Sequence, residues 1–485
     1  MKSRRWVVAV LAVAALGLAT HQMLAQRGQR GGPPPLPAFK SEEYLLLGTA
    51  MRGAGEPMVA VDPVDPKNII VVAMGNLQQP EGKPVTANGT DAYHHITKST
   101  ITWLGVTHDG GLNWDISELP ILSGKLTRCP DSFADVMKDG TFIAGCEPRE
   151  TMTSDPDFFG MSALMISHDH GKTWGPVVQM ISDYQLNRFA PGLHPVSGGF
   201  PKGAPNRVAS NSPWDRPFTF IDDSTGIIYG QAGGGQAYTD EKGTQRRSQA
   251  YLTASTDGGK SFGTIYSWDS PQYPQSSRGT GMAAAGGMVV VNYTASSVPA
   301  SENATCPCPV WGVSKDHGKT FTYHVLKGLS GGSLAADQTK PGRIAMLLSE
   351  PGPKYSVAVT EDFGQTWSPA VAAATVPQAT GFSKSSFRFS RDGVLGLMWR
   401  ASYADGSYDI WAVISKDSGK TFSKPLRVSH AKSPSRDPYR NGGLFGDDIQ
   451  DLSMDKTNMH LVWGDSRSGF LGVWYGRVKL ADFEF

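Results

Sequence analysis

The sequence predicts an all-β protein, a β-propeller of seven blades. Three observations carry that prediction. Glycine and proline number 56 and 33 in a chain of 485 residues, a turn-residue load too high for a helical bundle and too unpatterned for collagen. One eight-residue pattern recurs six times, spaced 60, 88, 59, 46 and 55 residues apart, the signature of an array of like units. A seventh hairpin without that pattern stands near the C-terminus, and a spare strand stands near the N-terminus.

Composition narrows the rest. Hydrophobic residues are 39% of the chain and 12 are Trp, enough for a large core and against whole-chain disorder. Lys and Arg number 45 against 44 Asp and Glu, which excludes a nucleic-acid binder working by bulk charge. Residues 1–25 read as a signal peptide. Lys2, Arg4 and Arg5 precede an apolar run at 7–19, and Met23-Leu24-Ala25 offers a cleavage site. Ser3-Arg4-Arg5-Trp6-Val7-Val8 also resembles a twin-arginine signal, so either export route fits. The segment 26–43, with Gly-Gly-Pro-Pro-Pro at 31–35, reads as a flexible linker. No later run is apolar for long enough to span a bilayer. The expected location is secreted or periplasmic, with one propeller domain over 44–485.

The repeat is Ser/Thr-x-Asp-x-Gly-x-Thr/Ser-Trp/Phe, centred on Asp109, Asp169, Asp257, Asp316, Asp362 and Asp417. Its physics is that of a tight turn. The carboxylate accepts from backbone N–H groups and neighbouring hydroxyls. The glycine takes a backbone conformation that a Cβ opposes, and the aromatic residue opens the next strand and buries a large face. These six carboxylates therefore read as structural.

Each box follows a hairpin and a third strand. In the first unit residues 57–62 pair with 68–73, and 102–106 lead to the box. The next hairpins are 132–137 with 141–145, 216–221 with 226–230, and 281–284 with 288–293. They continue as 333–336 with 343–348 and 387–390 with 394–399. The boxless seventh unit pairs 451–454 with 459–463 and adds 472–477. The spare strand 44–49 supplies its missing fourth strand, which closes the ring and removes an exposed edge. A six-bladed ring with a C-terminal appendage is the alternative.

With these residues the repeat is the Asp-box, or BNR, repeat, and the chain resembles the sialidase-like β-propeller superfamily over about 44–479. The resemblance implies four-stranded antiparallel blades, with each box between the third and fourth strands. It also implies an arginine triad, an Asp acid/base and a Tyr–Glu pair in the catalytic members. The position of the family's Arg-Ile-Pro reads Gly55-Glu56-Pro57 here, so a sialidase-type glycoside hydrolase and a non-catalytic binding or assembly propeller both stay open.

The starts of first strands and ends of second strands share the face opposite the boxes. That face reads as a mouth rich in Arg and carboxylate. The ligand-binding candidates are Arg52, Glu56, Glu147, Asp215, Arg216, Arg278, Arg400, Asp447, Asp465 and Arg467. Asn76, Arg128, Asp131, Arg149, Tyr293, Glu350 and Asp448 line the same layer. Arg forks suit carboxylates bidentately, so the expected ligand is an anionic glycan or other anionic small molecule, bound or hydrolysed. Pairing between blades is the other reading of each. No catalytic residue is assigned.

Cys129 and Cys146 end a hairpin and read as a disulfide. Cys306-Pro307-Cys308 is open between a strained disulfide, two thiols and half a metal site. No metal or cofactor is expected. The Gly-Lys-Thr at Gly171, Gly318 and Gly419 belongs to the boxes, since the glycine a phosphate loop needs five residues earlier is absent.

Overall fold

The computed structural model describes residues 39–50, 52–77, 100–123, 126–150, 161–182, 214–234, 238–239, 245–246, 250–276, 281–434 and 448–485. The expected signal peptide and most of the linker lie outside them. The compact unit is Ser41–Phe485, and among the described residues it holds seven four-stranded sheets.

Blade 1 runs Arg52–Val61, Ile69–Leu77, Thr100–Thr107 and Asp115–Glu118. Blade 2 runs Phe133–Val136, Phe142–Cys146, Met161–Ser167 and Val178–Ser182. Blade 3 is Trp214–Asp222, Ile227–Gly234, Ala250–Ser255 and Tyr266–Ser267, and blade 4 is Gly281–Ala285, Met288–Ala295, Cys308–Ser314 and Thr322–Val325. Blade 5 is Ser333–Ala336, Ile344–Ser349, Lys354–Thr360 and Val371–Thr375. Blade 6 is Gly381–Phe389, Leu395–Ser402, Tyr408–Ser415 and Leu426–Arg427. All strand pairs are antiparallel. The first strands touch in cyclic order, blade 7 meeting blade 1, so the ring has seven blades rather than six.

Blade 7 is built from both ends of the unit. Asp451–Met454, Asn458–Asp465 and Gly472–Lys479 are completed by Ser41–Leu47. The ladder matches Ser41 to Val478, Tyr44 to Tyr475 and Leu47 to Val473, with one register shift between Leu45 and Leu47. The closing strand starts just inside the segment read as linker.

The core lies between neighbouring blades. One cluster joins blades 1, 2 and 3 through Ile70, Phe133 and Ile228; others join blades 3 and 4, 4 and 5, 5 and 6, 6 and 7, and 7 and 1. With both faces of a blade covered, Ile69–Ala73 is 0% exposed at every position, which is why it reads as an unbroken apolar run.

The six repeat turns join third strand to fourth. In each, the first hydroxyl donates to an Asp oxygen at 2.6–2.8 Å. The glycine N–H returns to that hydroxyl, at 2.8 Å in the Ser314 turn, while Thr320 donates both its N–H and its hydroxyl to Asp316. Hydrogen bonds from Thr173, with the others in its turn, hold the Asp169 carboxyl down at about 2. Gly318 sits at φ +84°, and a Cβ there would lie 2.2 Å from Leu252 Cδ1 in blade 3. The turn glycine thus serves blade-to-blade packing as well as the turn.

A second set of carboxylates holds the turns between first and second strands. Asp62 accepts from Val64 N–H and pairs with His170 Nδ1 at 2.9 Å. Asp222 accepts from the N–H groups of Gly286 and Gly287 in blade 4. Asp455 pairs with the buried His460 at 2.9 Å.

Cys129 and Cys146 form a disulfide with Cα atoms 5.5 Å apart, both fully buried. Cys306 and Cys308 also form a disulfide, which closes the question the sequence left open. Among the described residues no helix is long and apolar enough to cross a membrane.

Candidate functional site

The mouth is organised by four backbone positions. Glu56, Asp131, Arg216 and Lys384 have φ of 52°, 51°, 55° and 50°, a left-handed conformation that costs about 1–2 kcal/mol for a residue with a Cβ. They stand at equivalent places, at the openings of the first strands of blades 1, 2, 3 and 6. The ladder shifts register at three of them, between Gly55 and Met58, Asp215 and Phe218, and Ser383 and Ser386. Each shift is a β-bulge, which re-aims a side chain out of the alternation. Four charged residues, none of them glycine, hold this conformation around one ring.

Asp448 joins them from just before blade 7. Its carboxylate forms an ion pair with Arg216 Nη2. Asp131 Oδ2 accepts from the Arg216 N–H at 3.3 Å, and the Arg216 carbonyl accepts from Gln231 Nε2 at 3.1 Å. Arg216 is thereby held through its guanidinium and through its backbone.

Glu56 lies behind them, 6% exposed, with Oε2 buried and met by no protein donor. Burial pushes its carboxyl well above the usual range, and the negative charges of Asp131 and Asp448 add to this. Asp448 moves the other way. Against its own burial, the hydrogen bond from Glu56 and the charges of Arg216 and Lys384 hold it below the ordinary value. Two carboxyls can hydrogen-bond only through a proton. Their environments push the two titrations apart, Glu56 upward and Asp448 downward.

Below the mouth, charged groups tie neighbouring blades together. Arg388 of blade 6 pairs with Asp451 of blade 7 at 3.3 Å; Asp451 also accepts from Ser386 and from Val59 N–H of blade 1. Burial raises the carboxyl of Asp135, set in blade 2, which accepts from Thr219 of blade 3. On the side of the repeat turns Arg391 of blade 6 reaches across the ring to Asp223 of blade 3, at 2.6 and 2.9 Å, and donates to the Val136 carbonyl of blade 2.

The other sequence candidates lie elsewhere. Arg467 is engaged inside blade 7, by Glu43 and by Asp465 at 2.9 Å, with its guanidinium 3.8 Å above the Trp474 ring. Asp465 is fully buried and also accepts from Trp463 and Ser433. Arg400 is 5% exposed, with its guanidinium 4.0 Å from the Tyr408 ring centre. Glu147 is fully buried and its N–H donates to Pro130. Arg52 opens blade 1 at its rim, and Asp215 lies in the bulged opening of blade 3. Arg278 and Asp447 lie outside the described residues. The structure therefore brings together Glu56 and Arg216 from that set, adds Asp131 and Asp448 from the same layer, and adds Lys384. Among the described residues no group of three or more His, Cys, Asp or Glu is placed to hold a metal ion.

No family model matches the chain, and no curated protein matches it. Solved structures similar to it include a protein of unknown function from Dyadobacter fermentans, 14% identical. That match covers 90% of this chain and 97% of the other, with a TM-score of 0.49. A sialidase from Streptococcus pneumoniae is 10% identical over 92% of this chain and 96% of its own, with a TM-score of 0.43. A leech intramolecular trans-sialidase is 13% identical, over 85% and 83%, with a TM-score of 0.45.

Proposed function

We propose that the mouth binds an anionic glycan and hydrolyses a glycosidic bond in it. The observation that carries this reading is the Glu56–Asp448 pair beside Arg216. A carboxylic acid raised above its ordinary range, next to a carboxylate held below its own, is the equipment of acid-assisted glycoside cleavage. Arg216 and Lys384 supply the positive charge that an anionic sugar needs. Strain held at four ring positions supports a functional role for them.

Arg216 and Lys384 bind and orient the anionic group. The Glu56–Asp448 pair gives its proton to the departing glycosidic oxygen, the C–O electron pair stays with that oxygen, and water completes the sugar. The proton lost by water returns to the Glu56–Asp448 pair. The ring-crossing Arg391 supports a site that opens on one face.

The second reading is a non-catalytic binding propeller. It is favoured by Arg400 and Arg467, which are engaged inside their own blades, so that the three arginines expected from different blades form no cradle. A panel of fluorogenic sialosides and uronides, with direct binding of the free sugar acids, separates the two. Turnover lost in Glu56→Gln and Arg216→Ala supports hydrolysis. Binding that depends on Arg216 without turnover moves the assignment to a binding module. No binding of any anion refutes both. The basic and apolar leader supports export, and N-terminal sequencing of the mature chain tests it.

A further inference from the structure

The two disulfides of this chain differ in every respect that bears on reactivity. Cys129 and Cys146 are 17 residues apart and both 0% exposed, within the core shared by blades 1, 2 and 3. Cys306 and Cys308 are 2 apart. Cys306 is half-buried at the end of a loop, Pro307 is exposed, and Cys308 is 4% exposed as the first residue of a blade 4 strand. One cysteine is thus partly exposed and its partner is buried.

The loop does not depend on this bond. Residues 296–307 join the second and third strands of blade 4, on the mouth face. Tyr273 donates its hydroxyl to Glu302 Oε1 at 2.7 Å, and Val325 N–H donates to Glu302 Oε2 at 3.2 Å. Ser296 N–H donates to the Pro274 carbonyl at 2.8 Å and Asn303 N–H to the Ala300 carbonyl at 3.1 Å. Cys308 is itself laddered to Ala295. A cross-link spanning one intervening residue also constrains the unfolded chain very little. Its presence is poorly explained by stability, and its opening leaves the blade in place.

We propose that Cys306–Cys308 is a thiol–disulfide exchange site that accepts electrons from a dithiol. An incoming thiol attacks Cys306 Sγ, the sulfur of the more exposed cysteine. The S–S bond breaks, its electron pair goes to Cys308 Sγ, and the attacking thiol's proton follows to that sulfur. The second thiol of the reductant then attacks the mixed disulfide and releases Cys306 as a thiol. The dithiol becomes a disulfide, and the protein disulfide becomes two thiols. The direction of attack follows from burial, because exchange requires approach to the sulfur being attacked.

The test uses the full folded chain, graded dithiothreitol, iodoacetamide quenching and peptide mass mapping, with circular dichroism to follow the fold. Cys306 and Cys308 are expected to label together at a dithiol concentration at least about tenfold below that which opens Cys129–Cys146, with the spectrum unchanged. The single variants Cys308→Ser and Cys306→Ser are then exposed to oxidised glutathione. Cys306 should capture it in the first, and Cys308 should not in the second. The proposal is overturned if both disulfides open together, if the pair opens only as the fold melts, or if Cys308 captures glutathione as readily as Cys306. The labelling experiment on the parent chain decides the matter even if a variant does not fold.

Discussion

Replacing Glu56 with Gln gives the sharpest test of the mouth. Glutamine keeps the shape, stays neutral and still donates a hydrogen bond to Asp448. The parent's Glu56 carries a carboxyl raised well above its ordinary value, chiefly by burial and then by Asp131 and Asp448. The folded protein therefore holds a proton there at pH values where the unfolded chain has released it. A group raised in this way contributes stability in full below its unfolded titration. That contribution is lost as pH climbs toward the folded value. The slope is about 1.4 kcal/mol per pH unit for one proton. Asp448 is lowered, so its opposing dependence falls at more acid pH. Urea denaturation of both proteins at one-unit steps between about pH 5 and 8 should show the Gln variant gaining on the parent by about 1.4 kcal/mol per unit, until Glu56 ionises in the folded state. Parallel curves over the whole range would mean that Glu56 is an ordinary carboxylate, and the proton-sharing pair would be gone.

Three other outcomes follow from the fold. Gly318→Ala places a Cβ against Leu252 at positive φ and should cost about 2–4 kcal/mol in urea denaturation; a cost under about 0.5 kcal/mol refutes the close blade contact. Leu47→Ala removes a side chain 1% exposed at the ring closure and should cost about 2–5 kcal/mol, seen as a lowered thermal midpoint. The Asp362 carboxyl, held down at about 2 by the hydroxyls and N–H groups of its turn against the burial that raises it, should still be ionised at pH 3 by carbon NMR, where an ordinary Asp is mostly protonated.

The blade count was legible because its signal is local. Each repeat fits within eight consecutive residues, and its hairpin lies beside it in the chain. The closing strand could be read too, since a missing fourth strand at one end answered a spare one at the other. The mouth was legible by layer and not by partner. A β-bulge leaves no mark in alternation, so nothing in Gly55-Glu56-Pro57 or Asp215-Arg216-Pro217 showed that these side chains leave the ladder. Lys384 was missed because blade 6 reads convincingly only from Phe387, while its first strand begins at Gly381. Asp62, Asp222 and Asp455 were missed as a set because their turns share no fixed glycine. Arg391 crosses the ring to blades 2 and 3, far away in sequence, and spacing carries no trace of that.

The pairing of Ser41–Leu47 with Gly472–Lys479 has a consequence in time. During synthesis the first of these segments leaves the ribosome long before the second exists, so it must wait, unpaired, for almost the whole length of the propeller. The latch can engage only once the message has been read nearly to its end. A product cut short at any earlier codon leaves Tyr44 and Leu47 bare, and with them a hydrogen-bonding edge. Closure of the ring thus requires nearly the full length of the propeller, and a shortened product keeps an open strand edge.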